Sequence, residues 1–341
     1  MAPEIPSSWT LCASSFNWTP EIIAARQTAQ DIVTGIADSV VGTIELEPGL
    51  VWRSFPSPQD AEVDGLRDSL AATGGSISIV GASLDDFTSS TGRRSLRERL
   101  DFLVPQIHAA HRVGARGIRL PIGQAGTELL TLAQPLLHEL DLVLYEEIQG
   151  QQTPGSPAVE PALDAIAWLA DDHVRVLVDV SMLMPALPVT YLEELRRGGV
   201  PEDLMGRLES DWRDPATLDA VTALLRAGGV PPRIHTLFMN LLIRFGRSDA
   251  ADLQGILPLV GAFHLKFWDL DDDGGRVTQP LRDLGILLGR NGFTGTLTSE
   301  WGGHEWLQDD PTEMTRRHLA LAEMALAQTS VVERVETPVS G

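Results

Sequence analysis

The chain has 341 residues, 43% hydrophobic and 21% charged, which is the balance of an ordinary soluble globular protein with ample material for a core. Its 47 Asp and Glu against 26 Lys and Arg give a net charge of −21. That excess argues against nucleic acid and against anionic membranes as partners, because both demand clustered cations.

The predicted elements repeat one unit: a short apolar run, a polar turn, then an amphipathic stretch. The opening "MAPEIPSSWTLCASSF" lacks the basic region and apolar run of a secretory signal, so the cytoplasm is the expected location. "TLCAS" (10–14) is the first strand and carries Cys12, the sole cysteine, so neither an intrachain disulfide nor a cysteine-based zinc site can form. A helix over 20–39 follows. "GTIELEPG" (42–49) leads to a helix over 60–75, "SISIVGASL" (76–84) to one over 95–114, and "ARGIRLPI" (115–122) to one over 127–140. "LVLYEEI" (142–148) leads to a helix over 157–172, and "VRVLVDV" (174–180) opens a sixth unit with a long connection. "AFHLKFWDL" (262–270) precedes a helix over 279–292, and "GTLTSE" (295–300) precedes one over 311–328. Prolines in first turns and glycines after "AT", "RV" and "RN" mark several boundaries.

Eight strands alternating with helices predict an α/β fold, a (β/α)8 TIM barrel with parallel strands, over a single domain 1–328 followed by a flexible tail 329–341. The rival, a doubly wound open sheet, lacks a GxGxxG after the first strand. The connection 183–258 is too long for a bare loop and contains helical patterns. It is expected to cross the C-terminal mouth of the barrel as a helical excursion, serving as a lid or as a docking surface for another chain.

Chemistry in a barrel gathers where strands end. Those ends offer Glu146 and Glu147, Asp179, His264 and Glu300 on strands five to eight. Alternation sends Glu146 and Glu147 to opposite faces without saying which points inward. A single acidic strand end is commonly a helix cap or an ion-pair partner, and a single His in "FHLKF" is commonly a core residue. Four such donors on successive strands instead suit Mn²⁺, Mg²⁺, Co²⁺ or Zn²⁺. Glu45, Glu47, Asp85 and Asp86 read as solvated turn charges, as does the "DLDDDGG" run (269–275), which lacks the spacing of an EF-hand.

The runs "LYEEIQG", "VDVSM", "FHLKFWDLDDDG" and "TSEWGG" resemble the xylose isomerase-like TIM-barrel superfamily, which includes sugar (phosphate) isomerases and epimerases. The resemblance covers the barrel but not the sixth connection. It implies a metal held by Glu147, Asp179, His264 and Glu300, with Mn²⁺ the first expectation, and proton transfer by Glu147 and Glu300. Ketose epimerases have a His three residues after the Asp, where this chain has Met182. The insertion after Asp179 and the "SEWGG" ending look more like the large (alpha) subunits of bacterial C-glycoside deglycosidases. That likeness implies a C–C lyase acting on 3-keto C-glycosides, paired with a small β-sandwich subunit.

In either branch a metal chelating a carbonyl and a neighbouring hydroxyl would stabilise the enediolate left when the adjacent C–H is deprotonated. His304, His235 and Lys266 are further acid–base or oxyanion candidates, each equally readable as structural. Gln149 is a candidate for a sugar hydroxyl, and Trp268, Trp301 and Trp306 for sugar or aglycone faces. Three functions follow: a deglycosidase with a partner subunit, a self-sufficient isomerase or epimerase, and a silent sugar-binding barrel. The first expects the 183–258 surface to be apolar enough to dock a second chain; a homo-oligomer is the other expected assembly.

Overall fold

The computed structural model describes residues 4–89 and 92–327. The expected tail 329–341 lies outside the described residues. Eight strands run in chain order: β1 (Trp9–Ser14), β2 (Thr43–Leu46), β3 (Ser76–Gly81), β4 (Gly117–Pro121), β5 (Val143–Ile148), β6 (Val174–Asp179), β7 (Val260–Phe267) and β8 (Gly295–Trp301). Every neighbouring pair is parallel, and β1 pairs with β8, so the sheet closes as the predicted barrel.

Alternation along each strand sorts side chains between two environments. Outward residues such as Ile44, Leu46, Val176, Val178, Phe263 and Leu265 are fully buried beneath the surrounding helices. Inward residues change character along the barrel axis. Ile79, Leu177 and Ala262 form an apolar layer with Tyr145, and the later inward positions are charged. The mouth is therefore polar and rests on a dry plug.

Helix ends follow their local chemistry. The helix Leu96–Val113 opens with a capping box between Ser95 and Glu98 and ends at Gly114, whose φ of 83° relieves the left-handed turn. The helix expected over 20–39 is two helices, Thr19–Ala24 and Ala29–Ser39. Ala25 turns left-handed (φ 51°), and the Thr28 hydroxyl accepts from the Asp31 N–H to start the second. No helix among the described residues is long and apolar enough to cross a membrane.

The sixth connection builds helices Val189–Gly198, Glu202–Ser210 and Pro215–Arg226 around a core of its own, with Tyr191, Leu195, Met205, Trp212, Phe238 and Phe245. Trp268, just past β7, joins that core. Asp269 is buried and accepts from the Thr190 N–H (2.9 Å) and hydroxyl (2.8 Å), capping the first excursion helix. Asp272 accepts from the N–H groups of Val277 and Thr278 at the start of Thr278–Arg290. The "DLDDDGG" run is thus not merely a solvated turn: two of its carboxylates are helix caps, one of them out of water.

Two glycines seat the returning end of the excursion. A Cβ on Gly150, whose φ is 55°, would lie 2.1 Å from the Ile243 carbonyl oxygen, and one on Gly246 would lie 2.3 Å from the Met182 Cα. The expectation of an apolar outer surface is not met. Among the described residues Ile243 is the one large hydrophobic of the excursion that is strongly exposed, because the amphipathic helices turn their apolar faces into their own core.

Candidate metal centre

Inward positions of β5 to β8 converge at the mouth. Glu147, Asp179, His264 and Glu300 are all buried, and each offers one donor atom within 4.8 Å of the others. Glu146 points outward and accepts from the Gly123 and Ala125 N–H groups at 3.0 and 3.2 Å. The glutamate facing the cluster is therefore Glu147.

These donors fit a divalent metal ion. His264 Nε2 lies 2.9 Å from Glu45 Oε1, the outer-shell carboxylate contact that orients a metal-binding imidazole and leaves Nδ1 to the ion. His264 Nδ1 sits 3.0 Å from Glu147 Oε1 and 3.1 Å from Glu300 Oε2 yet is hydrogen-bonded to neither, and Asp179 Oδ2 has no hydrogen-bond partner either. Buried polar atoms aimed at one another and left unpaired are costly unless a cation fills the gap.

Sequence reasoning missed a second set of charges beside this centre. Glu45 and Glu47 were expected to be solvated turn charges, but Glu45 points inward from β2 and Glu47, just past that strand, lines the cavity at the mouth. Glu45 is 1% exposed and shares the Arg119 guanidinium with Glu147: Nε to Glu45 Oε1 at 2.9 Å, Nη1 to Glu147 Oε2 at 2.7 Å. Arg119 Nη2 reaches Glu47 Oε2 at 3.4 Å. Only Asp85 and Asp86 remain near solvent, paired with Arg94 and Arg99. The available signal was an in-phase Arg inside an otherwise apolar β4.

Burial opposes ionisation throughout, and the neighbours decide the outcome. For Glu147 burial pushes the carboxyl up, but Arg119 and His264 outweigh it and hold it below the usual range. For Glu300, Lys266 and His264 do the same and hold it well below. For Asp179 burial outweighs Lys266 and His264, with Glu300 adding to it, and pushes the carboxyl up to about 6. Burial disfavours the His264 imidazolium, yet Glu45, Glu300 and Glu147 together hold its pKa well above the ordinary value. The pocket thus calls for positive charge at its centre.

The other predicted residues separate into two groups. Lys266, Gln149 and Trp268 line a cavity of about 610 Å³ above the quartet, together with Glu47, Arg119 and the excursion's Leu242 and Ile243. Lys266 Nζ is 3.1 Å from Glu300 Oε2 and stands over the Phe16 ring. Four candidates do not reach this cavity. Trp301 is fully buried, its Nε1 donating to the Trp268 carbonyl at 2.8 Å, so its ring packs behind the wall. His304 packs at a tilt against the Phe16 ring and lines an adjacent groove, and burial holds its pKa down. His235 is exposed on the excursion. Trp306 donates to the Thr190 hydroxyl and serves as a tether.

The described residues thus form a closed parallel barrel in which each of four consecutive strands carries one acidic or imidazole donor to the same mouth. A solved L-ribulose 3-epimerase shares the fold over the whole of both chains, with a TM-score of 0.60 and 12% identity. The curated relatives are more specific. The chain is similar to a C-glycoside deglycosidase alpha subunit of Arthrobacter globiformis, 27% identical over 327 residues, covering 92% of this chain and 91% of the relative. It is also similar to a 3'-dehydrocarminate deglycosidase alpha subunit of a Microbacterium species, 26% identical over 325 residues, covering 88% and 90%. No protein-family model matches the chain. These likenesses indicate an enzyme.

Proposed function

We propose that the chain is the barrel subunit of a divalent-metal carbohydrate lyase. It removes the proton beside the carbonyl of a 3-keto C-glycoside and releases the aglycone by breaking the sugar–aglycone C–C bond. The observation that carries this reading is the quartet of Glu147, Asp179, His264 and Glu300, with donor atoms facing one another beneath the cavity. The relatives' names supply support for the substrate class and, as alpha subunits, for a smaller partner. Met182, wholly buried, offers no base where ketose epimerases carry a histidine, which favours the lyase over a stand-alone epimerase.

Mn²⁺ is the ion assigned in this reading, and its chemistry when bound is Lewis-acid polarisation of the ketone oxygen. Glu300, on the cavity wall, takes the proton from the carbon next to the carbonyl. Glu147, clamped by Arg119, is the fixed member of the pair. The C–H electron pair becomes a C=C bond as the C–C bond to the aglycone breaks; the aglycone carbon leaves with the electron pair of that C–C bond and takes up one proton, which balances the one taken by Glu300. Lys266 supplies countercharge to the developing oxyanion. Gln149 offers the sugar an amide, and Trp268, packed into the excursion's core, closes the wall behind it. His304 and His235 take no part.

Elemental analysis of purified protein is the test. Roughly one divalent ion per chain is expected in the wild type, lost in Glu147→Gln and Glu300→Gln. Aglycone release from a 3-keto C-glycoside, assayed with and without the co-expressed small subunit, then tests the reaction. Protein that refuses added Mn²⁺ would sink the metal mechanism, and an epimerised sugar with no aglycone released would move the chain to the isomerases.

A further inference from the structure

The quartet occupies β5 to β8, one half of the ring of strands, so a ligand held at that centre extends across the mouth toward β2 and β4. The polar groups waiting there are Glu47 and Arg119. Arg119 is largely committed to Glu45 and Glu147, its two shorter contacts. Glu47 is not. Its carboxylate meets only the longer, 3.4 Å approach of Arg119 Nη2 among the described ion pairs, and its side chain is 35% exposed while that of Glu45, two residues earlier, is 1% exposed.

The backbone fixes Glu47 in this position. Its N–H donates to Ser15 Oγ at 2.8 Å, and its carbonyl accepts from the Leu50 N–H. Gly81 leaves room beside it, since a Cβ there would come within 3.2 Å of Glu47 Oε2. A carboxylate held on the wall beside Glu147 and Glu300 adds repulsion and desolvation cost without binding the ion. Such a group is offset when a ligand brings hydrogen-bond donors, because an ionised carboxylate can only accept.

Charge narrows the ligand further. The cations lining the cavity are Arg119, Lys266 and Arg244, and each is already paired, with Glu45 and Glu147, Glu300 and Glu305 respectively. Away from the metal-facing edge, an entering phosphate or carboxylate meets carboxylates and no unpaired side-chain cation; a hydroxyl meets an acceptor. We propose that Glu47 is a specificity residue that accepts hydrogen bonds from sugar hydroxyls remote from the metal-facing edge, so that the site takes a neutral polyhydroxylated ring and rejects its phosphorylated counterpart. This inference rests on the sugar reading above.

Mn²⁺-loaded protein titrated calorimetrically with D-fructose and with fructose 6-phosphate tests it. The wild type should prefer the neutral sugar by about tenfold or more, and Glu47→Leu should weaken D-fructose by about tenfold or more, the scale of a lost hydrogen bond to a charged group. Glu47→Gln, which keeps an acceptor oxygen, should recover part of that loss. Mn²⁺ content, unchanged in both variants, checks that the barrel has closed around an intact quartet. Unaltered D-fructose affinity in a Mn²⁺-replete Glu47→Leu protein, no D-fructose binding by the loaded wild type, or equal affinity for the phosphate overturns the inference alone. Wild-type protein that takes up no Mn²⁺ overturns the metal reading and this inference with it.

Discussion

Arg119 ties β2, β4 and β5 together through one buried guanidinium. Replacing it with Met would leave Glu45 and Glu147 buried without their counter-ion. The expected cost is about 3–5 kcal/mol in urea unfolding, with metal affinity roughly 10–100-fold weaker by competitive titration because an outer-shell group is lost. His318 makes a separate prediction. It is buried, stacked on Phe267 at 3.8 Å and bonded to the Ser299 hydroxyl, and burial lowers its pKa to about 3. Below its ordinary value of 6.5 the unfolded chain takes a proton that the folded one refuses. Its contribution is therefore complete above pH 6.5 and falls by up to about 1.4 kcal/mol per unit as pH drops toward 3. Urea midpoints at pH 7, 6 and 5 should show a shallower decline in His318→Gln than in the wild type; parallel declines would contradict this. The four predicted ligands were legible because three are carboxylates near the ends of apolar runs and His264 is an imidazole inside one, where a polar group stands out. Glu45 and Arg119 were not, because their significance lies in pairing between β2 and β4, which are not adjacent and whose register no local pattern reveals.

At the scale of elements the barrel was readable almost strand by strand. Strands covered by helices outside and by other strands' side chains inside keep short, distinct apolar runs. The division of the helix expected over 20–39 was not readable, since Ala25 takes a left-handed turn with no glycine or proline to announce it. Nor was the inward-facing core of the excursion, because amphipathic helices look alike whether they cover a barrel or one another. The tethers of that segment can be tested. Asp269→Ala removes the cap on Val189–Gly198 and should cost about 1 kcal/mol. Hydrogen exchange should quicken across 189–245 while β1 to β8 stay protected; equal change in the strands would show that the excursion and the barrel open as one unit. Gly150→Ala meets both a left-handed φ and the Ile243 carbonyl, so it should displace the 243–246 strap and destabilise the fold more than Asp269→Ala does.

For the molecule as a whole, an ion that binds the folded barrel and not the unfolded chain adds stability by mass action, about 2.7 kcal/mol at a free concentration one hundred times Kd. Thermal midpoints should climb with added Mn²⁺ and fall back with chelator, and Glu300→Gln should show neither response. The same geometry bears on the order of events while the chain is being made. Ligands arrive at residues 147, 179, 264 and 300, and their supports at 45 and 119. A nascent chain emerging from the ribosome therefore displays Glu45, Arg119 and Glu147 long before Glu300 exists, and the ring that brings them together closes only through the β1–β8 pairing. A chain stopped before β8 carries three of the four donors and no closed ring to aim them, so on the proposed metal reading capture of the ion would await the last strand.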